Sequence, residues 1–416
     1  MKKVLLLSPV AGRDEAGGDR TYTHVLSQHP PQGIEYETYD RALERGALRE
    51  RGTGRALKIS LQNARSLAFK GALAGLSSET ALTGAAKTIH ALRRQKWLFW
   101  EPFLFFEIQA GEYDLVHSHI FSARFDGLDC PLVVSCGGPL RHLYLDARSF
   151  APTRVKRLEL ADRLAARVLG VNASSEWLPQ ASQLYAFTRS GRDELRAHNV
   201  LPPEKIHYVP FFLPLVAPVA TEPRHRPDRV GFVAREFFHK GGPLLLEAWD
   251  KVRAMRPDAQ LQIVGTSPPP EPKLSQLRAK NIEWLPFVPR EQLLNEIMPR
   301  FDVFAYPTRY DYLPCYTLLE VMARGVPIAG TAHRDMDETL GAQNPREEGR
   351  AGLLSPPKDA GALAANIVRL LDPLTNERFR AGARAHFEQN FAQNRVLPRL
   401  RSVYESAWNE GVEQAT

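Results

Sequence analysis

A polar, proline-rich stretch from Pro214 to Pro227 (PLVAPVATEPRHRP) divides this chain of 416 residues into two halves, and each half alternates short apolar runs with longer helical patterns. Proline lacks the N–H that a sheet interior needs, so the stretch reads as a linker. In the first half, KVLLLSP (Lys3–Pro9), YDLVHSHI (Tyr113–Ile120), PLVVSCGGP (Pro131–Pro139) and IHYVPFFLP (Ile206–Pro214) read as strands. A helical pattern covers Thr153–Leu169, and Ser190 reads as the N-cap of another helix that holds Leu195. In the second half RVGFVA, QLQIVG, IEWLPFV, DVFAYPT and VPIAG are the strands, with helices at Gly242–Met255, Glu291–Met298 and Tyr316–Arg324. Such alternation on both sides of a linker predicts two α/β domains, 1–214 and 228–393, each a doubly wound, Rossmann-like parallel sheet. Ligands bind at the carboxyl ends of the strands in sheets of this kind, so two facing domains would line a cleft.

Apolar residues make up 44% and charged residues 24% of the chain, which excludes wholesale disorder. The N-terminus has too short an apolar run for a signal peptide and reads as a first strand. Cys130, Cys136 and Cys315 have no metal-ligand spacing and cannot pair off evenly, so a reduced, cytoplasmic chain is expected. Of the net charge of +7, residues 41–96 hold twelve basic and three acidic side chains, a local +9. The aromatic run WLFWEPFLFF (Trp97–Phe106) follows, too short and too polar to span a bilayer. Two readings stand for residues 41–106. One is contact with an anionic partner, the inner face of a membrane or a phosphorylated acceptor ahead of nucleic acid, since no nucleic-acid-binding signature accompanies the charge. The other is a solvated helical face leading into a core helix.

Four sites follow strands and carry residues suited to chemistry. Gly17-Gly18 lie in the loop after the first strand, either as a close-approach loop for a ligand or as a surface turn. In VAREFFHKGGPLLLEAW, Arg235 ends a strand and Lys240 precedes two glycines that open a helix. Two cations beside free N–H groups at a helix start make a diphosphate cradle. Asp311 follows the strand DVFAYP, and Glu320 sits within the apolar helical stretch TLLEVMA. A buried carboxylate needs hydrogen bonds. A ribose diol would supply them, and a solvent-facing Glu320 is the equal alternative. His117 and His119 of LVHSHI point to one face of their strand, one able to reach a substrate hydroxyl and the other a packing residue. Asp335-Met336-Asp337 spells a metal-binding string but reads as a polar helix start, and no metal site is expected. With no G-x-S-x-G, Walker, H-E-x-x-H or paired CxxC pattern, hydrolase, P-loop and zinc chemistries lose their anchor.

Together, the strand ending in Arg235, Lys240-Gly241, QLQIVG, WLPFVP and PTRYD…LLEVMARGVPIAG resemble the retaining, GT-B-fold glycosyltransferases of the family 4 (group 1) type, most strongly over Val230–Leu354. The resemblance implies that Arg235 and Lys240 neutralise the diphosphate of a nucleotide-sugar donor, with Gly17 and Gly18 as the N-terminal glycine loop. It also implies that Glu320 holds the ribose, Asp311 the donor sugar, and that His119 stands beside the reacting sugar. Asp311 replaces a glutamate that the family carries one position closer, and Pro210-Phe211-Phe212-Leu213-Pro214 replaces its P-N-G-V-D. The implied activity is metal-independent, cofactor-free transfer of a hexose, with retention, to an acceptor that is lipid-linked or otherwise presented at a membrane. The family's C-terminal helix, here 394–416, packs back on the first domain. The competing readings are a nucleotide-sugar epimerase or phosphorylase on the same fold, and a nucleotide-sugar-binding protein without turnover.

Overall fold

The computed structural model describes residues 1–7, 18–51, 104–119, 123–125, 128–137, 151–169, 181–197, 201–215, 228–308, 314–333, 335–342 and 349–415. They form two compact units: Met1–Val209 with Leu397–Thr416, and Pro210–Val396.

In unit 1 the elements run β1 (Lys2–Leu7), α1 (Gly18–Gln28), β2 (Ile34–Thr38), α2 (Tyr39–Glu44), β3 (Leu48–Arg51), β4 (Leu104–Ile108), β5 (Leu115–His119), β6 (Ala123–Phe125), β7 (Leu132–Cys136), α3 (Pro152–Leu169), β8 (Gln183–Ala186), α4 (Arg189–Ala197) and β9 (Ile206–Tyr208). Six strands make an all-parallel sheet in the order β2-β1-β5-β7-β8-β9. Every residue of β5, β7 and β8 is buried, as expected of a parallel sheet covered on both faces. The order reverses between β1 and β5, which makes that pair the topological switch point.

Three local features differ from the sequence expectations. The end of the aromatic run, Leu104–Phe106, belongs to strand β4, antiparallel to β3, and not to a core helix. Consecutive phenylalanines suit a pleated surface better than a helix. Helix α4 starts two residues earlier than an N-cap at Ser190 implies, because Thr188 Oγ1 accepts the Gly191 N–H at 3.0 Å and takes the capping role. The strand IHYVPFFLP stops at Tyr208: Phe211, Phe212 and Leu213 are buried in unit 2, where Leu213 exchanges backbone hydrogen bonds with Phe391 and Gln393.

Unit 2 runs β10 (Arg229–Val233), α5 (Gly242–Met255), β11 (Gln260–Val264), α6 (Lys273–Arg278), β12 (Ile282–Leu285), an irregular helical stretch over Arg290–Arg300, β13 (Val303–Tyr306), α7 (Tyr316–Ala323), β14 (Ile328–Thr331), α8 (Met336–Leu340), β15 (Gly352–Ser355), α9 (Ala360–Leu371) and α10 (Pro373–Asn390). All six strands are parallel in the order β12-β11-β10-β13-β14-β15, which places the switch point between β10 and β13. Helices α5 and α9 pack together over a core that joins Trp249, Leu363 and Ile367 to Phe232, Ile263 and Val303 of the sheet. The Glu291–Met298 expectation is met only by the irregular stretch, which contains a π-turn over Leu293–Ile297 and a 3₁₀ turn at Met298–Arg300.

The last helix, α11 (Gln393–Ala415), leaves unit 2 and joins unit 1 from Leu397 onward. Its grip on unit 1 is polar as well as apolar. Trp408 Nε1 donates to the Asp114 carbonyl at 3.0 Å, Glu410 accepts from Gln183 and Lys205 at 2.7 Å each, and Val403, Tyr404 and Ala407 are buried.

Candidate functional site

The candidate residues fall at the two switch points. In unit 2, Arg235 follows β10, and the chain then folds into a tight turn in which Lys240 N–H donates to the Glu236 carbonyl at 3.0 Å and Gly242 N–H to the Phe237 carbonyl at 2.8 Å. That turn delivers Lys240 to the start of α5. Gly241 has φ +82°, and a β-carbon there would lie 2.0 Å from the Pro307 carbonyl oxygen; one on Gly242 would meet the Phe237 ring at 2.2 Å. The two glycines therefore let the loop after β10 close against the end of β13, across the switch point. Arg235 is exposed and Lys240 half-buried. Arg235 also lines a cavity of about 480 Å³ with Phe237, Phe238, Lys273 and Trp284, whereas Lys240 and Glu320 are not among its walls.

Glu320 lies on α7 and is 3% exposed, which decides between the two readings of it: the side chain points inward. It forms an ion pair with Arg290, whose side chain is 49% exposed. The contact falls on Oε1. A carboxylate oxygen that meets one cation still has a second lone pair. Burial pushes the Glu320 carboxyl above its usual range, against the pull of Arg290 and Arg324. Arg324 is itself buried, donating through Nε to the Leu294 carbonyl at 2.6 Å and through Nη1 to the Glu320 carbonyl at 3.0 Å. At the start of α7, Tyr316 stacks on Phe211 with ring centroids 5.0 Å apart and 20° between planes. Asp311 lies outside the described residues.

In unit 1, the switch point between β1 and β5 brings together the start of α1, at Gly18, and the end of β5, at His119. Gly17 lies outside the described residues. His119 is 1% exposed, with its ring against Tyr22 of α1 at 4.6 Å and Phe187 at 5.6 Å, and its Nδ1 is 3.0 Å from Ser135 Oγ. His117 points to the same face: its Nε2 is also 3.0 Å from Ser135 Oγ, and its Nδ1 is 2.7 Å from the Tyr404 hydroxyl. Burial, and then the neighbouring His119, hold His117 well below the usual imidazole range, so it is neutral. His117 is the fully satisfied packing histidine of the pair.

Several contributors escaped the sequence reading. Arg290 had no signal, since it lies in a polar loop and meets Glu320 only through the fold. Ser135 and Tyr404 are ordinary residues of a strand and a helix until β5, β7 and α11 come together. Asp335 precedes α8 as expected, and no cluster of three metal-ligating side chains occurs among the described residues. None of the three cysteines is disulfide-bonded. Arg45, counted in the basic segment, pairs with Glu37 and Glu112 at 2.6 Å each, so part of that charge is neutralised locally. Residues 52–103 of the segment lie outside the described residues.

Known proteins resemble the second unit in sequence and the chain in fold. Residues 227–373 match the family described as glycosyl transferases group 1. A GDP-mannose-dependent monoacylated alpha-(1-6)-phosphatidylinositol monomannoside mannosyltransferase of Corynebacterium glutamicum is 32% identical over 177 residues, 40% of this chain and 44% of that protein. The putative colanic acid biosynthesis glycosyltransferase WcaL of Salmonella typhimurium is 26% identical over 185 residues, 42% of this chain and 44% of that protein. The alignments thus span less than half the length of these relatives. Among solved structures, the Anabaena protein HepE in complex with UDP and glucose aligns over 98% of this chain and 100% of its own, with TM-score 0.55 at 15% identity. The trehalose-6-phosphate synthase OtsA aligns over 97% and 99%, with TM-score 0.57 at 12% identity. These neighbours share the architecture of two Rossmann-like units, the GT-B fold. Residues 227–373 thus carry a group 1 glycosyl transferase domain, and the chain has the GT-B fold along its length.

Proposed function

We propose that the protein transfers a hexosyl group from a nucleoside-diphosphate sugar to a hydroxyl acceptor, with retention at the anomeric carbon and without a metal ion. The observation that carries this reading is the switch point of unit 2. There the glycine-closed turn sets Lys240 at the start of α5, five residues beyond Arg235, and α7 presents a buried Glu320. Arg235 and Lys240 supply positive charge for a diphosphate, and Glu320 accepts from the ribose hydroxyls.

The chemistry asked of these groups is electrostatic. As the bond between the anomeric carbon and the β-phosphate oxygen breaks, negative charge collects on the diphosphate, and fixed cations favour that state over the ground state. The acceptor oxygen bonds to the anomeric carbon from the face the diphosphate leaves, and a departing phosphate oxygen takes the acceptor's proton. His119 and Asp311 are assigned to the donor sugar, and Gly17-Gly18 to the diphosphate. The acceptor is assigned as lipid-linked or membrane-presented, with residues 41–106 in contact with an anionic surface at the inner face. No described helix is long and apolar enough to cross a membrane.

The test is release of nucleoside diphosphate from UDP-, GDP- and ADP-hexoses by the purified protein, with and without lipid extract as acceptor source. Release from one donor class, accelerated by acceptor, is the expected result. Binding without release from any donor would replace the transferase reading with a binding protein.

A further inference from the structure

The cavity beside Arg235 has walls that the diphosphate cradle does not use. It opens at the carboxyl ends of three neighbouring strands: Arg235 follows β10, Thr266 and Ser267 follow β11, and Trp284 lies in β12. In the sheet order β12-β11-β10-β13 it therefore lies on the β11 side of β10, whereas the switch-point crevice lies on the β13 side. The fold holds these walls in place. Trp284 Nε1 donates to the Thr266 carbonyl at 2.9 Å, and the Gly265 N–H to the Leu285 carbonyl at 3.2 Å. Gly265 has φ +94°, and a β-carbon there would lie 3.2 Å from the Ala234 carbonyl oxygen, so the turn after β11 sits tightly against the end of β10. Small-molecule sites run from about 300 to about 1,000 Å³. At about 480 Å³ this cavity has the size of one.

The chemistry of the walls selects the ligand. Arg235 and Lys273 line the cavity from exposed positions and favour an anion. A guanidinium has five N–H donors, so Arg235 can serve more than one acceptor at once. Glu236 and the hydroxyls of Thr266 and Ser267 offer acceptors and donors together, as a polyhydroxyl compound needs. Phe237, Phe238 and Trp284 add ring surface, and Phe238 is left 79% exposed. The rings in contact are crossed, Phe237 standing at 86° to Phe238 and at 41° to Trp284. Crossed rings form no parallel slot for a flat base, and their faces and edges suit the C–H groups of a pyranose. Donors, acceptors, crossed rings and two cations together describe a sugar that carries a negative group.

We propose that this cavity is a second ligand site, for a monosaccharide bearing a phosphate or a carboxylate, and that it shares Arg235 with the donor diphosphate. Lys273 meets the anionic group within the cavity, where neither Lys240 nor Glu320 reaches. One guanidinium then faces two anions that repel each other. Each ligand therefore weakens the other, by the same factor in both directions, and an acidic sugar restrains donor binding. The coupling rests on Arg235 holding the diphosphate, as proposed above; the ligand class of the cavity does not.

Calorimetry on the full-length protein tests both halves, with glucose 6-phosphate, mannose 6-phosphate and glucuronate as probes and glucose and inorganic phosphate as controls. At least one acidic sugar should bind, with each control at least about 10-fold weaker, since each control offers only part of the contacts. Lys273→Ala and Phe238→Ala, both at exposed positions, should each weaken the acidic sugar about 10-fold, and Lys240→Ala should not. With that sugar at saturation, Kd for the preferred nucleoside diphosphate among UDP, GDP and ADP should rise about 10-fold, a usual size for coupled sites. Lys273→Ala should lose that rise at the same sugar concentration. No binding by any acidic sugar, or inorganic phosphate binding as tightly as the sugars, would overturn the site. Weakening by Lys240→Ala and not by Lys273→Ala would place the sugar in the diphosphate cradle and equally overturn it. Binding in the cavity with an unchanged nucleoside diphosphate Kd would overturn the sharing of Arg235. If no nucleoside diphosphate binds at all, the transferase reading falls, and the sugar titrations still decide the site.

Discussion

Replacing Glu320 by Gln separates a functional carboxylate from a structural one, because the two roles predict opposite changes in stability and affinity. The side chain is 3% exposed and its partner Arg290 is 49% exposed, so the arginine can regain water when the charge is removed. An ion pair with one exposed member contributes about 0–1 kcal/mol. Burial has raised the Glu320 carboxyl, so its charged form is less favourable in the folded state than in the unfolded one. The sign follows by linkage. A carboxyl whose pKa is higher folded than unfolded binds more protons in the native state. Stability therefore falls as pH rises from the unfolded value toward the folded one, and the full cost is present above both. Gln removes that cost. Urea unfolding at pH 7 should place Glu320→Gln within about 1 kcal/mol of wild type or above it, and the variant's advantage should fade as pH falls through the acidic window. Nucleotide affinity should move the other way. A charged acceptor for hydroxyl donors contributes about 1.5–3 kcal/mol, so Kd for the preferred nucleoside diphosphate should rise about 10- to 100-fold by calorimetry. A loss of about 3 kcal/mol or more in stability with unchanged Kd would refute the reasoning and make Glu320 a counterion for Arg290 and Arg324.

Three further perturbations test the same site. Arg235→Ala and Lys240→Ala should each weaken nucleoside diphosphate binding about 10- to 100-fold while Lys273→Ala leaves it unchanged; weakening by Arg235→Ala and Lys273→Ala alone would move the ligand into the 480 Å³ cavity that those two residues share. Gly241→Ala should lower the urea midpoint by the equivalent of about 2–4 kcal/mol, from an unfavourable positive φ and a β-carbon placed against the Pro307 carbonyl, and a wild-type midpoint would contradict that close approach. Arg93, Arg94 and Lys96 changed together to Gln should reduce sedimentation with phosphatidylserine-containing vesicles, and unchanged sedimentation would return the basic segment to a solvated face.

Much of the fold was legible because parallel sheets write themselves plainly into a sequence. VGFV and VFAY are continuous apolar runs, since both faces of each strand are covered, QLQIV departs from that only at its two glutamines, and the helix over Gly242–Met255 agrees in both its ends. Where local propensity and tertiary context compete, the sequence was less informative. LFFEI could end a helix or form a strand, and pairing with Leu48–Arg51 decides it. Pro210–Leu213 continues an apolar run out of β9, so periodicity assigns it to the first half; the buried Phe211, stacked on Tyr316, and the backbone bonds of Leu213 assign it to unit 2.

The candidate site divides along the same line. Arg235, Lys240 and the glycine pair are close neighbours in sequence, and one βα turn is enough to bring them together. Glu320 is visible as a misfit in an apolar helix, although only burial shows that it faces inward. What no local pattern could reveal is how His117 and His119 differ. They have the same residue type, the same strand and the same face, two positions apart, and both bond to one serine. The difference comes from residues far away in sequence. Tyr404 and Tyr185 satisfy His117 on both nitrogens and exhaust it, while His119 meets the aromatic rings of Tyr22 and Phe187 and shares a hydrogen bond at Nδ1 with Ser135 Oγ. A histidine whose two nitrogens are both consumed inside the fold has nothing left for a substrate, and one of the two partners that occupy His117 comes from a helix that begins nearly three hundred residues later.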